Sequence, residues 1–296
     1  MRTIRIWCSV ILVLPFIHTA PPAHQEDIYD YNAEDMFEGL LFKQHFDQYG
    51  QDAAADENGL VVSQGRFRRE ETQADTDATE ALEVKDLPTC LLCVCLSGSV
   101  YCEETDIEEI PPLPKETAYL YARFNKIKKI TAKDFSDFPT LRRIDLTGNV
   151  IEEIDEKAFE KLVLLEQLSL AENKLTRIPA LPTKLTIFNA NHNLIKSKAV
   201  KANAFKKLTS LTYLYLANNQ LESVPPNLPE SLRIIHLQFN NITTITDDSF
   251  CKSNDTRYLR PKLDEVRMDG NPVILGKYPN SFTCLRTLPH GSYFRK

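Results

Sequence analysis

The sequence predicts an α/β solenoid, a leucine-rich-repeat horseshoe with a parallel β-sheet on its concave face, and three observations predict it. First, the pattern L-x-x-L-x-L-x-x-N-x-L recurs in full as Leu141–Ile144–Leu146–Asn149–Ile151, Leu165–Leu168–Leu170–Asn173–Leu175, Leu211–Leu214–Leu216–Asn219–Leu221 and Leu232–Ile235–Leu237–Asn240–Ile242. Second, weaker copies centre on Asn125, Asn193 and Asn271, so the asparagines are spaced by 24, 24, 20, 26, 21 and 31 residues, which is the period of such repeats. Third, cysteines bracket the array: Cys90, Cys93, Cys95 and Cys102 before it, and Cys251 and Cys284 around its last repeat. A repeat cannot bury its own apolar side, so several must stack, and the ends of the stack need caps.

Residues 1–20 read as a secretory signal. Arg2 and Arg5 supply the positive end, Ile6 to Ile17 an apolar core too short to span a bilayer, and Ala20 a candidate last residue. No later stretch is apolar enough for a membrane span, so the sequence predicts a secreted chain.

Residues 21–86 hold 17 acidic and 5 basic residues, a net charge of −12, whereas residues 87–296 carry a net charge of +4. The acidic segment lacks a sustained apolar period and is expected to be a disordered tail. Acidic neighbours around Tyr29 and Tyr31 suit tyrosine O-sulfation. Arg66-Phe67-Arg68-Arg69 fits the R-x-R-R site of secretory convertases; cleavage after Arg69 would remove the tail, and otherwise the run is a short basic patch. The tail contains no Ser-Gly, so a serine-linked glycosaminoglycan there is not expected.

Residues 87–116 form the expected N-terminal cysteine cap. Cys8 leaves with the signal, and the six remaining cysteines imply three disulfides in an oxidising compartment. Zinc at Cys90-x2-Cys93 is disfavoured by that compartment, and spacing leaves the pairing within the first cluster open. Residues 117–273 form seven repeats. The L-x-L segment becomes a strand with its leucines inward, and the Asn turns the chain out of it, its amide both donating and accepting. Longer repeats add an anchor at Phe135, Phe159, Phe205 or Phe250; shorter ones return through Ile178–Pro179 and Val224–Pro225, so the convex side should mix helical turns with extended segments. Residues 274–296 form the C-terminal cap. Two N-glycosylation acceptors occur, Asn241-Ile242-Thr243 and Asn254-Asp255-Thr256; Asn254 is the preferred one, because Asn241 directly follows a ladder asparagine and is expected to be partly shielded.

Side chains alternate along a strand, which predicts a concave binding face of Tyr119, Tyr121, Arg143, Asp145, Tyr213, Tyr215, His236 and Arg267. Gln167, Ser169, Ile187, Asn189, Ile234 and Glu265 fill the other slots, and Phe124, Glu172, His192, Asn218 and Phe239 add the position before each asparagine. Aromatic and arginine residues are frequent interface anchors. The competing use of this face is pairing with a second copy of the chain. Lys126, Lys128, Lys129, Lys133, Lys196, Lys198 and Lys201 offer a surface for sulfated glycosaminoglycan, or are simply solvated. Nothing in the sequence points to catalysis: the six histidines are scattered and no nucleophile, paired-carboxylate, phosphate-loop or metal signature appears. No cofactor and no nucleic-acid partner are expected.

The cluster Cys90-Leu91-Leu92-Cys93-Val94-Cys95-Leu96-Ser97-Gly98-Ser99-Val100-Tyr101-Cys102, followed by seven repeats of which the last long one holds Cys251, resembles the small leucine-rich proteoglycans of class III. The runs Tyr119–Lys129 and His236–Asn241 strengthen the resemblance, which covers about residues 88–294. It implies a matrix protein that associates with collagen fibrils and influences their assembly. It also implies growth-factor partners of the transforming growth factor beta group, a role in bone formation, and keratan sulfate on N-linked glycans in cornea. The same resemblance implies the pairs Cys90–Cys95, Cys93–Cys102 and Cys251–Cys284. A soluble modulator that holds a growth factor through its acidic, sulfated tail is the alternative function.

Overall fold

The computed structural model describes residues 89–294. The signal segment, the acidic tail with Tyr29, Tyr31 and Arg69, and residues 87–88 lie outside the described residues.

The chain enters through a one-turn helix α1 (Thr89–Leu92) and an antiparallel hairpin of β1 (Val94–Leu96) and β2 (Ser99–Tyr101). Each repeat then contributes one three-residue strand: β3 (Tyr119–Tyr121), β5 (Arg143–Asp145), β7 (Gln167–Ser169), β8 (Ile187–Asn189), β9 (Tyr213–Tyr215), β10 (Ile234–His236) and β11 (Glu265–Arg267). Together they form one sheet in the order β1-β2-β3-β5-β7-β8-β9-β10-β11, parallel from β2 onward. Two shorter strands, β4 (Lys129–Ile130) and β6 (Glu153–Ile154), pair beyond the turn that follows the first two asparagines. One strand lies at each L-x-L position that precedes an asparagine of the pattern.

Three-residue strands cannot hold a sheet alone; the asparagines join the repeats. Asn219 Nδ2 donates to the carbonyls of Leu216 (3.2 Å) and Ala217 (3.1 Å) in its own repeat and to Ala190 (2.9 Å) in the repeat before, while its Oδ1 accepts the Ile195 N–H at 3.0 Å. Asn149, Asn173, Asn193, Asn240 and Asn271 repeat that scheme, accepting from Ile127, Ile151, Leu175, Leu221 and Ile242. Asn125 ties the first repeat to the cysteine cap through the Cys102 carbonyl (2.6 Å) and the Thr105 and Ile107 N–H groups. Each amide thus satisfies backbone groups of two neighbouring units of the stack, and every one but Asn271 is buried.

The residue before each asparagine is left-handed in all seven repeats: φ is +54° at Phe124, +71° at Gly148, +53° at Glu172, +53° at His192, +53° at Asn218, +54° at Phe239 and +65° at Gly270. That conformation reverses the chain so the amide can turn inward. Glycine adopts it freely and bulky residues do so at a cost. At both ends of the array a phenylalanine rests on the following repeat's glycine: a side chain on Gly148 would collide with the Phe124 ring, and one on Gly270 with the Phe239 ring.

The core is a column of stacked leucine and isoleucine layers running from Leu120 to Val266, with Phe135, Phe159, Phe205 and Phe250 buried behind it. Phe135 stacks on Phe159 at 5.8 Å and Phe188 meets Phe205 at 6.5 Å. In the weaker repeat, Phe188 is paired with a small Ala190 at the neighbouring inward slot, so volume is conserved while the leucine pattern blurs. The convex side is built from turns rather than α-helices among the described residues; Ser197–Ala199 forms a single 3₁₀ turn in the repeats. The disulfides are Cys90–Cys95 and Cys93–Cys102 in the first cap and Cys251–Cys284 in the last. The Cys251–Cys284 pair lies beside the Phe250–Phe282 contact (6.1 Å) that closes the apolar end of the stack.

Asn219→Leu keeps the volume but strands the Ile195 N–H and the carbonyls that the amide served. It should lower unfolding free energy by roughly 1–3 kcal/mol, read as a lower midpoint in urea with the slope unchanged; an unaltered midpoint would mean the ladder contributes nothing.

Candidate functional site

The concave face carries two side-chain rows in strict register. The row at the third residue of each strand runs Tyr101, Tyr121, Asp145, Ser169, Asn189, Tyr215, His236 and Arg267. Its two ends are aromatic and cationic, and its middle is small.

At the first end, Tyr101 and Tyr121 stack with centroids 5.0 Å apart and planes 5° from parallel, and Arg143 Nη1 donates to the Tyr121 hydroxyl at 3.3 Å. Burial pushes the Tyr121 phenol above its ordinary value, opposed by Arg143. Arg123 closes this end with a 2.7 Å bond from Nε to Glu103, half-exposed on both sides. Tyr101 belongs to the face although it precedes the first repeat. The signal was present: Val100 and Cys102 occupy the two inward slots of a strand, with cysteine where the pattern calls for leucine.

At the other end, Tyr213 lies 6.4 Å from Tyr215, and Tyr215 meets the edge of His236 at 4.8 Å. Burial, aided by the Arg267 guanidinium, pushes the His236 imidazole down to about 4, against the contrary pull of Asp269. The Glu265 carboxylate lies 3.6 Å from Nε2, yet at neutral pH this is a contact with a neutral ring rather than an ion pair. Arg267 Nε bonds Asp269 at 3.2 Å.

Asp145, expected as a ligand-contacting group, is instead buried, with 4% of its surface exposed. Its short side chain lies between Tyr121 and Ser169 in the row and is spent inward: Oδ1 accepts from the Thr147 N–H (3.1 Å) and hydroxyl (2.7 Å), and that hydroxyl lies 2.8 Å from Ser169 Oγ. Burial pushes its carboxyl above the usual range, opposed by the two Thr147 bonds. Phe239 follows the strand in the left-handed slot and borders a groove that Lys196, Lys198 and Asn241 also line. Phe124, Glu172, His192 and Asn218 occupy the same slot.

The centre of the face offers amides. Asn189 Oδ1 accepts the Asn191 N–H at 3.0 Å, and Asn191 Oδ1 accepts the Ala217 N–H at 2.7 Å. An amide whose oxygen is held by a backbone N–H must turn its NH2 away from it, so both asparagines present donors. Beside them Gln167 keeps a buried Oε1 with no partner among the described residues. The strip on β7 and β8 between Arg143 and Tyr213 is about 14 Å wide at the usual strand spacing.

Of the seven lysines read as a glycosaminoglycan surface or as simply solvated, four are ion-paired. Lys126 pairs with Asp106, Lys128 with Glu108, Lys129 with Glu153 and Asp155, and Lys201 with Glu156. Both sequon asparagines are exposed, so the expected shielding of Asn241 does not occur; its N–H bonds the Leu221 carbonyl while its side chain faces out. Among the described residues no cluster of three or more His, Cys, Asp or Glu could hold a metal, and no helix is long and apolar enough to cross a membrane.

Family models described as leucine rich repeat match residues 116–175, 210–230 and 231–253. The chain is 56% identical to human mimecan over 298 aligned residues, covering 99% of this chain and 100% of the relative, and 58% identical to mimecan of Coturnix japonica with the same coverage. It is 49% identical to human epiphycan over 208 residues, covering 70% of this chain and 65% of that one. Among solved structures it is similar to a chain in an octameric complex of Latrophilin 3, Unc5D and FLRT2, with a TM-score of 0.53, 25% identity, and coverage of 65% of this chain and 59% of that chain.

The partly buried His236 gives the fold a defined acid sensitivity. Its folded pKa of about 4 lies below the ordinary value of 6.5, so the unfolded chain takes up the proton first. The stability it contributes is fully present above pH 6.5 and falls as pH drops toward 4, by roughly 2–3 kcal/mol. Urea denaturation between pH 7 and pH 4 checks this: His236→Gln should remove that part of the slope, and an identical slope in both proteins would contradict it.

Proposed function

The chain belongs to the mimecan family of extracellular-matrix small leucine-rich proteoglycans, and from that premise we propose that its concave face binds the collagen triple helix and thereby modulates fibril assembly. The carrying observation is the strip of amide donors at Asn189 and Asn191, flanked by the Tyr101–Tyr121–Arg143 and Tyr213–Tyr215–His236 groups. A triple helix is a long rod that exposes backbone carbonyls and charged side chains. Outward NH2 groups suit those carbonyls, and a low central strip between raised aromatic rims suits a rod. Tyrosine and arginine at the rims are also the residues from which interfaces draw most of their energy. The family is one of structural repeat proteins rather than enzymes.

The sequence favours a second site of action. Residues 21–86, with their net charge of −12 and with Tyr29 and Tyr31 among acidic neighbours, suit a basic growth factor. In this reading the tail sequesters signals, sulfation at Tyr29 and Tyr31 strengthens the binding, and cleavage after Arg69 ends it. The charge-paired lysines favour neither sulfated glycosaminoglycan nor its exclusion. A second copy of the chain competes for the same concave face.

Collagen fibril assembly followed by turbidity separates these uses. The secreted protein should change the lag or plateau in proportion to dose, with or without residues 21–69. Tyr121→Ala combined with Arg143→Ala, or Tyr215→Ala, should weaken the effect about 10- to 100-fold at unchanged fold, the scale of losing interface anchors. Loss of the effect on deleting the tail, with the concave variants fully active, would sink the concave-face reading.

A further inference from the structure

We infer that Asn241 carries an N-linked glycan whose first N-acetylglucosamine rests on the ring of Phe239 and whose next sugars lie in a groove with Lys196 and Lys198. This site is independent of the concave-face reading. The groove has a volume of about 610 Å³ and is lined by Lys196, Lys198, Gln220, Glu222, Phe239 and Asn241, with the ladder residues Asn219 and Asn240 at its base.

The backbone presents the acceptor triplet for modification. The Asn241 N–H bonds the Leu221 carbonyl at 2.8 Å and the Thr243 N–H bonds the Glu222 carbonyl at 3.2 Å, which holds Asn241-Ile242-Thr243 extended along the previous repeat. Ile242 is fully buried, so Asn241 and Thr243, on either side of it, both face outward. Two residues before the acceptor stands Phe239, 54% exposed and in a left-handed conformation that a bulky residue adopts at a cost. Its ring rests against Gly270 and also borders the groove. A pyranose presents an apolar C–H face that packs on an aromatic ring, and its hydroxyls and acetamido group seek amides, carboxylates and ammonium groups. Gln220, Glu222, Lys196 and Lys198 supply these, and neither lysine has an ion-pair partner among the described residues, in contrast to Lys126, Lys129 and Lys201. Phe124 packs on Gly148 in the equivalent slot with no acceptor beside it, so the Phe239–Gly270 packing is a feature of the repeat and the acceptor triplet two residues on is what sets Phe239 apart. Asn254, the acceptor favoured by sequence, lies exposed in the Cys251–Arg260 segment and lines neither this groove nor the one beneath Tyr258.

The modification balances simply. The Asn241 amide nitrogen displaces a polyprenyl diphosphate from C1 of a lipid-linked oligosaccharide, forming the C1–N bond and breaking the C1–O bond; the amide loses one proton to the transferase and nothing is oxidised or reduced.

The test uses the full chain secreted from animal cells. Glycopeptide mass measurement should show Asn241 occupied. Thermal melting is then compared among the wild type, Thr243→Ala, Phe239→Ala and the double variant. The wild type should melt about 2–4 °C above Thr243→Ala, the scale of one aromatic packing contact in a domain of this size. Phe239→Ala should keep the glycan by mass yet melt with its Thr243→Ala double variant. An unmodified Asn241 overturns the inference, and so does a gap that survives loss of the Phe239 ring.

Discussion

The asparagine ladder is the constraint on which the rest depends. A three-residue strand offers few backbone bonds to fix its neighbour's register; a one-slot slip would turn its leucines outward, but a two-slot slip would still set leucine against leucine. The amide removes that freedom. Asn173, for example, holds carbonyls of Leu146, Leu170 and Ala171 while accepting the Ile151 N–H, and only one alignment of two repeats satisfies all four. An unsatisfied amide in this place costs more than a misplaced methyl group, so polar satisfaction decides the register and leucine supplies the bulk stability.

Register in turn makes the concave face a designed surface. Tyr101 lies over Tyr121, and Tyr215 against His236, because the ladder sets these rows side by side. The same alignment gathers the short side chains Asp145, Ser169 and Asn189 into the middle. The amides of Asn189 and Asn191 show their donors outward because backbone N–H groups, themselves placed by the stack, hold their oxygens. The two caps protect this arrangement from fraying: Asn125 reaches back to Cys102, and the Cys251–Cys284 bridge closes over Phe250 and Phe282.

Much of this was legible from residues alone, and the exceptions have physical causes. The seven strands followed from apolar spacing, because burial of a repeated pattern has one periodic solution. The left-handed slot before each asparagine was missed: Gly148, Gly270 and Asn218 signal it, but Phe124 and Phe239 occupy it too, and a phenylalanine gives no sign of a positive φ. Asp145 read as a charged ligand group, yet alternation places a side chain on a face without saying whether neighbours cover it, and Thr147 had already claimed the carboxylate. Tyr101 was overlooked because cysteine stands where leucine marks a strand. The pairing of the lysines was not legible because the carboxylates beside Lys126, Lys128 and Lys129 come from residues 20 or more positions away, a distance along the chain that only repeat stacking closes.

Hydroxyl-radical footprinting of the secreted protein, free and bound to a collagen triple helix, tests the central claim most directly. If the ladder-aligned concave face is the contact, oxidation of Tyr121, Tyr213 and Tyr215 falls on binding, while that of Phe138, in the connection between the β4 and β5 strands, and of Tyr278, in the C-terminal cap, is unchanged. Protection of Phe138 or Tyr278 with the three concave tyrosines still fully reactive would contradict the account.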